Sequence, residues 1–321
     1  MGVIPLSLAK VIHNFFQSYG EAAQENGSSL QDVQSILEKY VDLIVEQLQY
    51  PYPFEPYHHR VIKPFDYYHY GLDLLRPLVV FEKSKVLGLQ RVKEMEQVLA
   101  QRENVVLLAN HQTEPDPQAI SLLLEKTYPQ LAEEMIAVAG HRVISDPLAA
   151  PISKGRNLIC VFSKRHLENP PEKKQEKVRH NQLAMRKLTE LLKEGGKCIY
   201  VAPSGGRDRP NAHGEIEVAK FDPQSIEMFW LIAQQSGRPC HFYPLALATY
   251  DLLPPPNSIE KDLGEERHAR CTPIHMAFGA EIDMLNFPGS DQVDKKVRRQ
   301  VRAEYIWEQV FNDYQKLRSL Q

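Results

Sequence analysis

Short apolar runs alternate with helix-forming segments from residue 104 onward, and this alternation constrains the fold more than any other feature. The runs are predicted strands, at 105–109, 136–139, 158–162, 198–201, 241–249 and 274–278. Helical patterns separate them at 118–126, 172–193 and 223–235. Such alternation is typical of parallel strands, so we expect an α/β fold with a mixed, largely parallel sheet flanked by helices.

A different pattern precedes residue 76. Apolar residues recur at helical spacing over 8–19 and 33–48, and a proline- and tyrosine-rich connector follows. Residues 1–75 are therefore predicted to form a small N-terminal helical-bundle domain, and residues 76–321 an α/β domain. Within the larger domain we expect further helices at 84–101, before the first of these strands, and at 291–317.

Composition and spacing exclude several classes of protein. The net charge is −3 over 321 residues, so no overall positive field would attract nucleic acid. No apolar stretch has the roughly 18 residues of a membrane span, so we expect a soluble protein with at most peripheral membrane contact. The four cysteines are widely spaced without a CxxC pair, which is typical of reduced intracellular thiols. The histidines lack HxH and HExxH patterns, so neither a metal nor another cofactor is expected.

The run NHQTEPDP directly follows the apolar run that begins at residue 105. His111 would lie at the carboxyl end of a buried strand, where ligands bind in open α/β sheets, and Asp116 would begin the next helix. A histidine that is oriented by a carboxylate is a base suited to activating an alcohol. The alternative is that Asp116 merely caps the helix, with Pro117 at its first position, and that His111 is an ordinary loop residue.

Two further strand ends carry basic residues. APSGGRDRP contains Arg207 and Arg209, whose guanidinium groups suit a phosphate, and GRNLICVFSKRH ends with Arg165 and His166. Each could instead be a solvated segment, for example with Arg207 paired to Asp208. Because all three motifs follow predicted strands, we expect them to converge on one small phosphorylated molecule that bears a hydroxyl group.

Four blocks together carry a specific resemblance. NHQTEPDP, GRNLICVFSKRH, VAPSGGRDRP and FYPLAL, in this order and spacing, resemble the sequence blocks of glycerol-3-phosphate acyltransferases, above all the soluble plastid type. The likeness covers about residues 60–282. It implies that His111 and Asp116 are the catalytic pair. It also implies a set of phosphate-binding residues, namely Arg165, His166, Arg207 and Arg209.

The resemblance further implies a reaction. A fatty acyl group would pass from acyl-acyl carrier protein or acyl-CoA to the sn-1 hydroxyl of glycerol 3-phosphate, giving lysophosphatidic acid. With no evident cysteine or serine nucleophile beside His111, transfer would be direct, without an acyl-enzyme. Backbone amides of the turn after His111 are the expected oxyanion donors. The compartment would be a bacterial cytoplasm or a plastid stroma.

Three points stay open at this stage. The acceptor could be lysophosphatidic acid rather than glycerol 3-phosphate, and acceptor competition distinguishes the two. The chain could be a phosphometabolite-binding module without catalysis, which would release no thiol from any thioester. Basic residues of the helix predicted at 172–193 could contact an acidic carrier protein, and a solvated helix face is the alternative.

Overall fold

Every predicted strand forms, and each lies within one residue of its predicted ends. The structure is a computed structural model that describes residues 4–256 and 264–320. Over these residues it contains an eight-stranded sheet and a two-stranded hairpin. In chain order the strands are β1 (Tyr57–His58), β2 (Lys85–Leu87), β3 (Asn104–Ala109), β4 (Ile136–Gly140), β5 (Asn157–Val161), β6 (Cys198–Val201), β7 (Arg209–Pro210), β8 (Ile216–Glu217), β9 (Cys240–Ala248) and β10 (His275–Phe278).

The large sheet has the order β1-β5-β4-β6-β3-β9-β10-β2. The five strands β5, β4, β6, β3 and β9 are parallel to one another, and β2 is parallel to β10. Two pairs, β1 with β5 and β9 with β10, are antiparallel. The mixed, largely parallel sheet is therefore confirmed. Because β3, β5 and β6 share one direction, their carboxyl ends lie at the same edge of the sheet, and the three motifs begin there.

Helices cover both faces of this sheet. In chain order they are α1 (Leu6–Glu25), α2 (Leu30–Gln49), α3 (Tyr67–Leu75), α4 (Leu89–Ala100), α5 (Asp116–Leu124), α6 (Pro129–Glu134), α7 (Arg142–Ser145), α8 (Ala150–Ser153), α9 (Lys164–Leu167), α10 (Lys174–Glu194), α11 (Pro223–Gln235) and α12 (Lys295–Arg318). Side chains of β3 alternate between the two faces, as a strand requires. Val106 and Leu108 pack with the apolar sides of α10, α11 and α12, whereas Val105 and Leu107 pack with α4 and α5.

The N-terminal helices α1, α2 and α3 pack together and against the layer that covers the sheet. Their apolar cluster includes Ala119 and Leu122 of α5, so this helix lies between the sheet and the N-terminal helices. β1, which also belongs to the first 75 residues, pairs with the edge strand β5. A domain boundary at residue 75 stays a prediction.

One predicted helix begins too early. The sequence favoured a helix over 84–101, but β2 occupies the first part of that segment and pairs with β10, with Val86 opposite Met276. The helix α4 starts only after Gly88, which has a φ of +75°. A Cβ at this position would lie 2.1 Å from the carbonyl oxygen of Phe278. This tight turn against β10 depends on tertiary packing, and a helical spacing of apolar residues does not reveal it.

Two further sequence expectations can be compared with the structure. Across 4–256 and 264–320, no helix has both the length and the apolar character needed to cross a membrane. All four cysteines are free thiols, as predicted.

Candidate active site

His111 and Asp116 are in contact at the carboxyl end of β3. The chain leaves β3 at Ala109, turns through residues 110–115, and enters α5 at Asp116. The Nδ1 atom of His111 lies 2.7 Å from the Oδ2 atom of Asp116. The His111 side chain is 28% exposed, whereas that of Asp116 is completely buried. The pair therefore has a buried carboxylate on the inside and an imidazole that faces solvent.

Three other donors fix the position of the Asp116 carboxylate. The backbone amide of Gln112 donates to it at 2.8 Å, that of Thr113 at 3.3 Å, and the hydroxyl of Thr249 at 2.6 Å. The alternative interpretation was that Asp116 caps α5. The amides that it binds precede the helix, so its carboxylate does not cap the amides of α5. We expected backbone amides after His111 to stabilise the oxyanion. For Gln112 and Thr113 this prediction is wrong, because both amides bind Asp116.

A second buried carboxylate, that of Asp208, joins this turn to the glycine-rich segment after β6. The side-chain amides of Asn110 and Gln112 donate to Asp208 at 2.8 and 3.2 Å. The backbone amide of Asp208 donates to the carbonyl oxygen of His111 at 2.6 Å. Burial raises the pKa of Asp208 to about 6. Asp208 therefore holds the segment that carries Arg207 and Arg209 directly against the turn that carries His111.

Arg207 does not pair with Asp208, so that alternative is also wrong. Its guanidinium group forms an ion pair with Glu265, whose side chain is only 8% exposed. The second oxygen of Glu265 lies 3.9 Å from a guanidinium nitrogen of Arg142. The cationic groups near the catalytic turn thus include an arginine that the sequence patterns did not single out.

The other predicted phosphate ligands lie around the same edge. Arg209 begins the β7–β8 hairpin and donates to the carbonyl of Pro256. His166 follows β5 in α9, and its Nδ1 atom lies 2.8 Å from the hydroxyl of Ser163. The side chain of Arg165 lies outside the described residues.

His166 also packs against His141, with ring centroids 4.6 Å apart. Burial, together with the nearby positive groups of His166, Arg142 and Lys177, lowers the pKa of His141 to about 4. The ammonium group of Lys177 donates to the carbonyl of His166 at 2.7 Å. Lys177 is buried and holds the α9 turn, so it is not part of a surface on α10 that could bind a carrier protein.

The sequence motifs missed the partners that complete the site. Thr249 at the end of β9 and Glu265 bind Asp116 and Arg207, respectively, and neither belongs to a motif with a predicted role. The signal available for Thr249 was its position as the last residue of the strand predicted at 241–249. Glu265 had no such signal, because its role depends on a long connection between β9 and β10.

Comparison with known proteins adds the family context. An acyltransferase family model matches residues 89–248. The chain is 41% identical over 286 residues to "Glycerol-3-phosphate acyltransferase, chloroplastic" of Spinacia oleracea, which covers 88% of this chain and 61% of that protein. It is 38% identical to "Glycerol-3-phosphate acyltransferase ATS12, chloroplastic" of Cucurbita moschata, over 99% of this chain and 69% of that protein. It is 37% identical to "Glycerol-3-phosphate acyltransferase, chloroplastic" of Arabidopsis thaliana, over 99% of this chain and 70% of that protein.

These matches also set limits. The chain spans 61 to 70% of the length of the three relatives named above. A solved structure of the 1-acyl-sn-glycerophosphate (LPA) acyltransferase PlsC from Thermotoga maritima is similar over 77% of this chain and 78% of that chain, with a TM-score of 0.40 and 18% identity. That likeness is too low to support an argument about the substrate.

Proposed function

Since this chain belongs to the family of the chloroplast glycerol-3-phosphate acyltransferases, we propose that it transfers a fatty acyl group to the sn-1 hydroxyl of glycerol 3-phosphate. The product is lysophosphatidic acid. The observation that carries the proposal is the contact of 2.7 Å between His111 and the buried Asp116, which lies beside a segment held by Asp208 that carries two arginines. A base and an anion site at one sheet edge suit an acceptor that has both a hydroxyl and a phosphate.

His111 acts as the general base in this proposal. Asp116 accepts the proton of Nδ1, so Nε2 is the basic nitrogen, and Nε2 has no hydrogen-bond partner among the described residues. It removes the proton from the sn-1 hydroxyl as that oxygen attacks the thioester carbonyl. The carbon–sulfur bond then breaks, and the imidazolium returns its proton to the leaving thiolate. No acyl-enzyme forms, so trapping of a covalent acyl adduct without acceptor would contradict this mechanism.

Arg207, Arg209, Arg165 and His166 are proposed to bind the phosphate. Guanidinium groups form paired, charge-assisted hydrogen bonds with phosphate oxygens. A phosphate that is fixed in this way would hold the hydroxyl near His111 and make the encounter effectively intramolecular, which contributes strongly to rate. Exposure supports this assignment for Arg207, because its side chain is 18% exposed to solvent.

The acyl donor and the compartment are finer points of the proposal. We take the donor to be a thioester of acyl carrier protein or of coenzyme A. The names of the relatives place those proteins in the chloroplast. For this chain, a plastid stroma or a bacterial cytoplasm stays a prediction.

A thiol-release assay with the purified protein tests the function. Acyl-acyl carrier protein and acyl-CoA are each supplied with glycerol 3-phosphate or with lysophosphatidic acid as acceptor. We expect release that depends on glycerol 3-phosphate and is lost in His111→Ala, whereas His111→Ala still binds glycerol 3-phosphate in a calorimetric titration. Faster release with lysophosphatidic acid would instead identify a lysophosphatidic acid acyltransferase. Binding without release from either thioester would identify a non-catalytic module.

A further inference from the structure

Glu265 is a buried carboxylate that contacts the arginines at the proposed phosphate site. Its side chain is 8% exposed, and its two oxygens face different arginines, Arg207 and Arg142. We propose that Glu265 is an internal counter-anion, which the substrate phosphate displaces from Arg207, and that Arg142 is a further phosphate ligand. This inference rests on the proposed function of the site and identifies two residues that select for an anionic acceptor.

A chain of hydrogen bonds holds the backbone of Glu265 beside the site. Arg267 donates to the carbonyl oxygen of Glu265 at 2.7 Å. Arg267 is in turn fixed by two hydrogen bonds to Glu114, at 3.0 and 3.1 Å. Since Glu114 lies three residues after His111, this chain of contacts ties Glu265 to the catalytic turn.

Carboxylate and phosphate present similar oxygens to a guanidinium group, so one can replace the other on Arg207. A phosphate monoester carries up to two negative charges and three free oxygens, whereas Glu265 carries one charge and two oxygens. The phosphate can therefore bind Arg207 and Arg142 together. Asp146, which lies 3.7 Å from Arg142 and accepts from the amide of Gly264, keeps the Arg142 guanidinium group near this position.

The same contacts would also arise if Glu265 only fixed the orientation of Arg207. The two roles predict opposite effects of neutralising the carboxylate. A competitor of the phosphate weakens binding, so its removal strengthens binding. A purely orienting residue assists binding, so its removal weakens binding.

The decisive variant is Glu265→Gln, because the amide retains the size of the side chain and an oxygen that can accept from Arg207. Its control is Glu266→Gln, which makes the same change of charge at the neighbouring, exposed residue. Calorimetric titrations with inorganic phosphate and with glycerol 3-phosphate give the dissociation constants, and initial rates give KM and kcat separately. Salt is held constant throughout, since it screens these charges.

We expect Glu265→Gln to bind both anions about tenfold more tightly than the parent, with a matching fall in KM for glycerol 3-phosphate. Glu266→Gln should bind them as the parent does. An unchanged or weaker affinity in Glu265→Gln would overturn the counter-anion role. An equal gain in both variants would show only the loss of one negative charge, and would overturn it as well.

Arg142→Gln tests the second half of the inference. We expect the affinity for both anions to fall roughly tenfold, against no change in Arg91→Gln, whose arginine pairs with Glu94 on the remote helix α4. Unchanged binding in Arg142→Gln would exclude Arg142 as a ligand. If Arg207→Gln still weakened binding, the phosphate site itself would stand. If Arg207→Gln also bound normally, the proposed phosphate site would be wrong.

Discussion

The proposed catalytic pair and the proposed anion site lie at the same sheet edge but are built differently. His111 and Asp116 lie within six consecutive residues, where a turn enters α5, and four donors surround the Asp116 carboxylate. The proposed anion site brings together Arg207, Glu265 and Arg142 from three distant segments, and both arginine side chains are partly exposed. From this difference we expect the base to be fixed before substrate arrives, as electrostatic catalysis requires, and the anion site to exchange Glu265 for the substrate phosphate, as proposed above.

The largest test of this contrast is Asp116→Asn. An asparagine amide would donate to Nδ1 of His111, so the proton would move to Nε2 and the basic nitrogen would be lost. At least one of the donors that bind Asp116 in the parent would also face the NH₂ group of the asparagine and lose its acceptor. We expect turnover to fall by roughly 10³ to 10⁴-fold, the scale of losing an orienting carboxylate. Steady-state thiol release measures it.

Binding of glycerol 3-phosphate serves as the control for Asp116→Asn. A rigid catalytic turn that is separate from the anion site predicts a dissociation constant close to that of the parent, measured by calorimetry. Turnover within tenfold of the parent would remove Asp116 from the mechanism. Loss of binding together with turnover would show that the two regions are not independent.

Arg207→Gln tests the other side of the comparison. Loss of charge-assisted hydrogen bonds to a bound anion costs about 1.5 to 3 kcal/mol, so we expect KM for glycerol 3-phosphate to rise roughly 10- to 100-fold. The value of kcat should change much less, because His111 and Asp116 keep their contacts. Initial rates over a range of acceptor concentrations separate the two constants. A normal KM with a reduced kcat would assign Arg207 to the chemical step instead.

A smaller effect is expected from Thr249→Val, which removes one donor from Asp116 while the side-chain volume is nearly conserved. The buried hydroxyl lies 2.6 Å from Oδ1, so its loss leaves this oxygen without one of its hydrogen bonds. We expect kcat to fall about tenfold and the free energy of unfolding to fall by about 1 kcal/mol. KM for glycerol 3-phosphate should not change.

A matched control for Thr249→Val is Thr189→Val on α10. The Thr189 hydroxyl also makes one hydrogen bond, to the carbonyl of Met185, far along the chain from the catalytic turn. Its loss should change stability without changing kcat. If both variants lowered kcat equally, the effect of Thr249→Val would reflect a general loss of stability rather than a change in the position of Asp116.

The two regions also differ in what their sequence predicts. The strand ends of β3, β5 and β6 follow from apolar runs that stop abruptly, and the spacing of His111 and Asp116 places both in one turn. Local patterns therefore predicted the sheet and the contact between His111 and Asp116. The contact between Glu265 and Arg142 joins residues more than a hundred positions apart, and that between Glu265 and Arg207 joins residues 58 apart. No local pattern records such pairings.

Buried polar side chains show the same limit within the catalytic turn itself. The sequence analysis gave Asn110 and Gln112 no role in the run NHQTEPDP. Both side chains bind Asp208, and they also bind the backbone at the end of β9. The charge of Asp208 favoured a solvated loop, since carboxylates are mostly exposed. Only the tertiary structure supplies the donors that compensate for its burial.

The smallest expected effect concerns the acid sensitivity of the anion side. His141 is mostly buried between Phe162 and His166, and its pKa falls from the usual value near 6.5 to about 4. The unfolded chain therefore takes up a proton between these two pH values that the native protein does not. Stability that is fully present above pH 6.5 is then lost as the pH falls through about 4.

His141→Phe should remove this contribution, because phenylalanine keeps the ring contacts and does not titrate. Urea denaturation between about pH 7.5 and pH 4.5 gives the free energy of unfolding of the parent and the variant. The parent should lose more stability on acidification, with the difference growing below pH 6.5. Asp208, whose raised pKa acts with the opposite sign, is common to both proteins and cancels in the difference. If the free energy of unfolding of the parent and of His141→Phe depended on pH in the same way, His141 would not limit acid stability. The anion site would then be no more acid-sensitive than the turn that carries His111.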